Sequence, residues 1–345
     1  MQDALELRTS TLRETTRAND QSRARVFAAV VVLCILSSAL FASWLPLPVS
    51  IVTVFLFAGP HNWMELRYFL MRLPVRFGRS RNFFLTAFIG LGALTATYIS
   101  LPLLFRTAVV SNEGWLSVIA IWNTLLLAWL CVLVWQRSKQ KSGTDWSWFV
   151  PLTLTLCAFN WLKPDFFSLA LVYTHPLVAL WFLDRHLRRT RPGWLSTYRR
   201  CLAAVPFVLG LMIWQLSQTQ SLAESNGLFW RITQHSGAEL LPGVSSHMLV
   251  SVHLFLEMLH YGVWLLALPF ITKSNSRVWD VKSIPVARHP RGFPKAVRIA
   301  LVASLGAVVF LWIGFSVDYS TTRDIYFTLA MAHVMAEAPF LLRML

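Results

Sequence analysis

Residues 246–271 read SHMLVSVHLFLEMLHYGVWLLALPFI. This run is apolar and longer than the ~20 residues with which an α-helix crosses a bilayer. It nevertheless contains His253, Glu257 and His260, whose spacing of four and then three residues places them on one face of a helix. Ionisable groups at membrane depth are costly unless they are paired or bound to a metal, so they indicate function. The stretch therefore predicts a membrane helix that carries a polar site.

The same pattern recurs elsewhere in the chain. In three apolar runs a histidine is followed four residues later by a glutamate, and no other acid falls deep within such a run. Two more histidines lie at similar depth. These residues are His61–Glu65, His253–Glu257, His333–Glu337, His175 and His260. Their coincidence predicts that they bind a metal ion.

Composition assigns the chain to membrane proteins. Of its 345 residues, 56% are hydrophobic and only 14% are charged, against about 25% charged in soluble domains. Apolar runs of membrane length recur throughout, which predicts an all-α, polytopic, integral membrane bundle. The net charge is +15, but the basic residues lie in short loops between apolar runs. They are therefore expected to face membrane lipid headgroups, and no nucleic-acid partner is predicted.

About ten transmembrane helices are expected. They cover residues 26–44, 49–73, 83–105, 114–136, 147–162, 165–183, 201–217, 246–271, 299–316 and 324–342. Residues 26–345 thus form a single transmembrane domain after a polar N-terminal segment, residues 1–25, which lacks the features of a cleavable signal peptide. The second span, which is either kinked or re-entrant at Gly59-Pro60, and the short fifth span are the weakest. Residues 218–245 are predicted to form a partly helical outer cap.

Charge predicts the orientation of these spans. Of the 31 lysines and arginines, all but Arg106, Lys163, Arg231 and Arg323 fall in alternate loops or in the terminal segments. The positive-inside rule then places both termini in the cytoplasm. A multi-pass location in a bacterial cytoplasmic membrane, or an equivalent membrane, is expected.

The estimated depths of the histidines along their spans predict that they lie close together. All five deep histidines fall on the second, sixth, eighth and tenth spans, which run in the same direction. With a rise of about 1.5 Å per residue, they occupy one layer near the membrane centre. Imidazole and carboxylate together suit iron, manganese or zinc, and Glu257-x-x-His260 has the spacing of di-iron bundles.

The residues are given distinct roles. The predicted metal ligands are His61, His175, His253, His260, His333, Glu65, Glu257 and Glu337. The predicted catalytic carboxylates are Glu65, Glu257 and Glu337, which would bridge metals, orient histidines or move protons. Tyr173 and Tyr261 are candidate wall residues. Other interpretations of the same set are a proton or ion pathway, bis-histidine haem and structural polar packing.

Several polar residues are expected to lie outside the site. His186, His235 and His289 are assigned to exposed loops, and His247 to the membrane interface. Asp318 and Asp324 are expected to cap helices. The four cysteines are interpreted as small buried residues, because their spacing is unlike that of metal ligands.

The string GPHNWME at residues 59–65 resembles the Pro-His-Gly-x-x-Asp-His motif of the Brp/Blh family of membrane β-carotene dioxygenases. His61 matches the first histidine of the motif, and Glu65 stands where that family has Asp. Asn62 and Leu66 replace its glycine and its second histidine. The resemblance implies iron held by histidines from several helices, and oxidative cleavage or oxygenation of a long apolar substrate.

The sequence thus predicts an integral membrane metalloenzyme. Mono- or dinuclear non-haem iron would oxidise or oxygenate a hydrophobic small molecule such as an isoprenoid, a carotenoid or a fatty acyl chain. The alternatives are a proton- or cation-coupled transporter that uses the cluster as a relay, and a non-catalytic subunit of a membrane complex. The lack of an internal repeat, which many transporters show, argues against the transporter.

Overall fold

The structure is a computed structural model that describes residues 2–106, 111–141, 143, 145–272, 281–290 and 292–345. These ranges contain helices and turns and no strand. The α-helices are α1 (Gln2–Trp44), α2 (Pro46–Arg72), α3 (Arg81–Arg106), α4 (Asn112–Gln140), α5 (Phe149–Leu162), α6 (Pro164–Thr190), α7 (Pro192–Leu202), α8 (Ala204–Leu216), α9 (Gly227–His235), α10 (Ser246–Gly262), α11 (Leu268–Ile271), α12 (Pro285–Arg288), α13 (Pro294–Val317) and α14 (Tyr319–Met344). The predicted all-α polytopic bundle is confirmed.

Eight helical segments of the described chain are long and apolar enough to cross a membrane. They match eight of the ten predicted spans, with α7 and α8 together forming one of them. The other two are the spans that the sequence marks as weak. Helix α5 has 14 residues, or about 21 Å at 1.5 Å per residue, which is shorter than the ~30 Å hydrocarbon core.

Helix α2 is 27 residues long and passes through Pro60 without a break. The structure therefore has no re-entrant turn at Gly59-Pro60. Gly59 lies against α13, where an added Cβ would come within 3.0 Å of Val308 Cγ1. The missing side chain thus allows α2 and α13 to pack closely at the turn that precedes His61.

Helix α10 lies at the centre of the bundle and contacts α1, α2, α6 and α8. In its span 67% of the most apolar stretch is buried, against 17–44% in the other seven spans. The outer surfaces of those helices expose large apolar side chains such as Leu33, Phe207 and Phe310, as contact with lipid requires. After Gly262, α10 continues through a π-helical turn, Val263–Ala267, into α11.

One end of the bundle collects basic residues and is called the inner end here. The backbone carbonyls of residues 342–344 at the end of α14 accept hydrogen bonds from Arg137 of α4 and Arg189 of α6. Arg343 in turn donates to the carbonyl of Arg72 at the end of α2, at 3.0 Å. The ends of α2, α4, α6 and α14 therefore meet on one side, as the charge pattern predicts. Asp20 of the N-terminal segment, which is helical as part of α1, also lies at this end and pairs with Arg191 at 3.2 Å.

The opposite, outer end carries the cap. Residues 218–245 contain α9, and Arg231 of α9 forms an ion pair with Asp324 of α14. His247 at the start of α10 bonds to the Ser43 carbonyl of α1 at 2.8 Å. Asp318 caps α14 by accepting from the Thr321 amide at 3.1 Å, as predicted. These Thr321 hydrogen bonds also hold the pKa of Asp318 below its ordinary value.

Cysteine labelling tests the predicted orientation. In a chain whose four native cysteines are replaced, Ser225→Cys places a thiol in the exposed cap and Gly143→Cys places one at the inner end. A membrane-impermeant maleimide should label Ser225→Cys in intact cells and Gly143→Cys only after permeabilisation, because inner-end basic loops are retained in the cytoplasm. Labelling of Gly143→Cys in intact cells would contradict the orientation.

Candidate metal centre

Four helices place polar side chains at one position inside the bundle. Helices α2 and α14 each contribute a histidine and a glutamate one turn apart, while α6 and α10 each contribute a histidine. The six residues are His61, Glu65, His175, His260, His333 and Glu337. His61, Glu65, His260 and Glu337 are at most 2% exposed. We call these six residues the metal cluster.

The metal cluster divides into two groups that share His260. His61, Glu65, His260 and His333 can each direct one ligand atom so that all four atoms lie within 4.8 Å of one another. His175, His260 and Glu337 form a second group by the same measure. The ring centroids of His260 lie 5.3 Å from His61 and 4.7 Å from His175. His260 therefore stands at the middle of the site.

Most polar atoms of the metal cluster lack partners. Across the described residues, seven of its buried nitrogen and oxygen atoms make no hydrogen bond: His61 Nε2, both carboxylate oxygens of Glu65, both ring nitrogens of His260, His333 Nδ1 and Glu337 Oε1. Each such atom costs about 1–3 kcal/mol when it is buried unsatisfied. Nitrogen and oxygen donors that converge in this way are the chemistry expected of a metal-binding site.

The existing hydrogen bonds orient the rings for binding. His61 Nδ1 lies 2.8 Å from the carbonyl of Phe57. That contact makes Nδ1 the protonated nitrogen and leaves the lone pair on Nε2. Histidine ligands of metals usually donate their second N–H to a carbonyl or carboxylate in this way. His175 shows the same arrangement, because its Nδ1 lies 3.3 Å from Glu337 Oε2.

A close nitrogen pair gives a further geometric test. His175 Nε2 and His333 Nε2 are 3.2 Å apart. Two nitrogen ligands about 2.1 Å from one ion, at angles between octahedral and tetrahedral, would be separated by ~3.0–3.4 Å. Two axial ligands of a haem would instead face each other across the iron at about 4 Å. The observed spacing is that of a hydrogen bond between the two rings, is also compatible with two ligands of one non-haem ion, and is shorter than the spacing of two haem ligands.

His253 and Glu257, both predicted as ligands, lie outside the two groups. The Tyr261 hydroxyl donates to Glu257 Oε1 at 2.6 Å, and the ring of His253 packs 5.2 Å from that of His235. For His253 the reason is axial distance, because seven residues separate it from His260, which is about 10 Å along a helix; Glu257 is instead held by Tyr261. The predicted single layer is thus two layers, the metal cluster and a polar wall nearer the cap.

A cavity of about 270 Å³ adjoins the metal cluster and reaches this polar wall. Its polar part includes His235, His253 and Glu257. Its apolar part extends between α4, α6 and α14, and includes Ile119, Trp122, Leu171, Val172, Met331 and Val334. An apolar molecule could therefore lie directly beside His175, His260 and His333. Tyr261 lines the cavity as predicted, and its ring lies 4.4 Å from that of His61.

Three further assignments made from sequence were wrong, and the four cysteines, interpreted as buried, are half-buried. His186 is not in an exposed loop but is buried near the end of α6, because α6 continues to Thr190. His235 is half-buried against His253, because α9 folds back over the cavity; burial and the charge of Arg323 hold its pKa well below the ordinary value. Asp324 is not a cap, since it lies within α14 and pairs with Arg231.

One predicted position is as expected, one is not, and one residue was missed. His289 is exposed, as predicted. Tyr173, predicted as a wall residue, is not among the described residues that line the cavity; it anchors α6 to the cap by donating to the Ser236 carbonyl at 3.0 Å. Arg323 was assigned to an outer loop, yet it is only 4% exposed and stacks over Phe327. One feature of the sequence could have drawn attention to Arg323: it is one of four basic residues that lie outside the basic loops.

Comparison with family models, with curated proteins and with solved structures found no match. The residues of this chain are therefore the only guide to its function.

Proposed function

We propose that this protein is an integral membrane metalloenzyme that uses non-haem iron to oxidise or oxygenate an apolar substrate. The observation that carries the proposal is the set of seven buried, unpartnered nitrogen and oxygen atoms of the metal cluster, counted over the described residues. Structural packing would leave few such atoms, because each one destabilises the fold. A bound cation would satisfy them together.

The donor set favours iron. It combines four imidazoles with two carboxylates and contains no cysteine. Such nitrogen and oxygen ligands suit iron, manganese or zinc, whereas thiolates would be expected for a soft metal. Because the site offers six residues, more than the three or four that hold most zinc ions, iron in one or two ions is the preferred occupant.

The protein residues have separable tasks in this proposal. His61, His175, His260 and His333 would bind the metal, and Glu65 and Glu337 would balance its charge and complete its coordination. Iron would supply activation of O2 beside the bound substrate. Glu257 and Tyr261, joined by the 2.6 Å hydrogen bond, would hold a proton at the edge of the cavity, next to His61.

The cavity supports an apolar substrate. It lies beside the four histidines proposed as ligands and is lined mainly by aliphatic and aromatic side chains. A hydrophobic molecule dissolved in the membrane could reach it without crossing water. An isoprenoid, a carotenoid or a fatty acyl chain remains the proposed class.

A proton- or cation-coupled transporter is the rival function. The specific observation in its favour is the polar wall, where Glu257, His253 and His235 continue from the metal cluster toward the cap. A proton relay needs a continuous series of hydrogen bonds, however. In a relay the unpartnered atoms of Glu65 and His260 would have to be joined by water, whereas a metal ion would bind them directly.

Metal analysis of detergent-purified protein tests the proposed function. Stoichiometric iron with no Soret band is expected. A Soret band would assign haem instead. Protein that remains metal-free after expression and reconstitution with iron, manganese and zinc would shift the assignment to the relay.

Filling the cavity should separate substrate binding from metal binding. Ala330 lines the cavity, whereas its neighbour Leu329 is 48% exposed on the outer surface. Ala330→Trp is expected to retain metal and to lower binding of a fluorescent polyene at least tenfold, because the indole would occupy the apolar space. Leu329→Trp is the matched control and should bind like the parent. Equal binding by both variants would place the substrate elsewhere.

A further inference from the structure

A second cavity lies at the inner end, and the metal-centre proposal does not use it. Its volume is about 660 Å³. Three arginines line it, Arg67 and Arg72 from α2 and Arg191 from the α6–α7 connection, together with His186 and Thr190. Arg67 is only 8% exposed. No acidic side chain is among the described residues that line this cavity.

Arg72 has the most clearly defined contacts of the three arginines that line this cavity. In the described structure it has no carboxylate partner; its guanidinium instead donates to His186 Nδ1 at 2.7 Å and lies over the ring of Tyr68. Because His186 Nδ1 accepts this bond, the ring carries its proton on Nε2, which is therefore a second donor. Arg191 is partly neutralised by Asp20, at 3.2 Å, and that carboxylate is 45% exposed.

The surroundings add positive charge. Arg343 donates to the Arg72 carbonyl, and Arg137 and Arg189 bind the last carbonyls of α14. Those carbonyls carry only the partial negative charge of a helix end, about half an elementary charge. The guanidinium groups at this end of the bundle therefore leave an excess of positive charge beside the cavity. Arginines in such an arrangement are typical of phosphate binding, because their planar forks match phosphate oxygens.

We propose that this inner cavity binds a phosphate group through Arg72, Arg191 and His186. The source is either the headgroup of an anionic membrane lipid or a free polyphosphate. The two share the chemistry that the site recognises. This site is independent of the metal, since it uses none of the six residues of the metal cluster, and Arg72 lies seven residues, or about 10 Å, beyond Glu65 along α2.

Binding measurements with matched variants test the site. Arg72→Gln/Arg191→Gln removes two cavity charges. Arg76→Gln/Arg79→Gln removes two exposed charges from the same end of the bundle, outside the cavity. Thr272→Trp obstructs the cavity from its exposed edge and keeps every arginine. Each delipidated protein would be titrated in detergent with phosphatidylglycerol, phosphatidylcholine or inorganic pyrophosphate, by native mass spectrometry for lipids and by calorimetry for pyrophosphate.

The Arg76→Gln/Arg79→Gln variant should bind the preferred ligand, phosphatidylglycerol or pyrophosphate, with the same affinity as the parent. The cavity double variant and Thr272→Trp should bind at least tenfold more weakly. Preference for phosphatidylglycerol over phosphatidylcholine identifies a lipid headgroup, and binding of pyrophosphate alone identifies a soluble anion. Equal loss in the two arginine double variants would overturn the proposal in favour of a general surface charge effect. Absence of both ligands from the parent would overturn it outright. A thermal melt of each unliganded variant checks folding, and Thr272→Trp keeps the test valid if the arginine variant is unstable.

Discussion

His260→Ala is expected to reduce bound metal to below about one tenth of the parent ratio. His260 is the residue that both ligand groups share, and neither of its nitrogens has another partner among the described residues. Changes to residues that merely orient ligands cost 10–100-fold in metal affinity, and the loss of a ligand should cost no less. Metal content after purification and reconstitution is the measurement.

His253→Ala is the matched control for this change. It removes the same side chain from the same helix, next to the same cavity, but from outside the two groups. It should keep the parent metal content. If both variants lose metal alike, the effect is general damage to α10. If His260→Ala keeps its full metal content, the metal cluster does not bind metal.

Glu65→Met should have opposite effects with and without metal. Both oxygens of Glu65 are buried and unpartnered in the described structure, so an apolar side chain of similar size should stabilise the metal-free protein by about 1–3 kcal/mol. With metal, the parent gains binding energy that the variant lacks. A metal present at 1,000 times its Kd stabilises the folded state by about 4 kcal/mol.

Thermal melts in chelator and in excess metal would record this reversal. The variant should melt above the parent in chelator and below it in metal. Glu239→Met, at an exposed acid on the cap, is the control and should follow the parent in both conditions. A variant that melts below the parent in both conditions would mean that Glu65 has a structural partner, and would count against the metal site.

The sequence predicts the helices of the metal cluster because two physical constraints govern membrane helices. An apolar run of membrane length must be helical, since its backbone can be satisfied in no other way within lipid. An ionisable side chain in such a run is energetically costly and therefore indicates function. Together with the histidines at the same depth, these rules select α2, α6, α10 and α14 and include all six residues that converge, but they also include His253 and Glu257, which lie outside the two groups.

What the sequence does not predict is which of these residues share a layer. His253 and His260 lie on one stripe of α10 but about 10 Å apart along it, and the predicted layer is wide enough to include both. The folding of α9 back over the cavity, which places His235 beside His253, is not predicted by the sequence. Likewise, the residues LDRHLRR of α6 look like a polar loop. Only the packing of α2, through Arg72 and Tyr68, explains why His186 is buried.

The π-helical turn that follows His260 gives α10 two angular registers. A π-turn accommodates one more residue than an α-turn, and such insertions are frequent at functional sites. Beyond Ala267 every side chain is thus rotated by about 100° from where an uninterrupted α-helix would carry it. His260 faces the other residues of the metal cluster, while Trp264 and Leu268 line the inner cavity. Deleting one residue of 263–267 would turn the wall of the inner cavity away while leaving His260 where it is, so the two sites can diverge independently along a single helix.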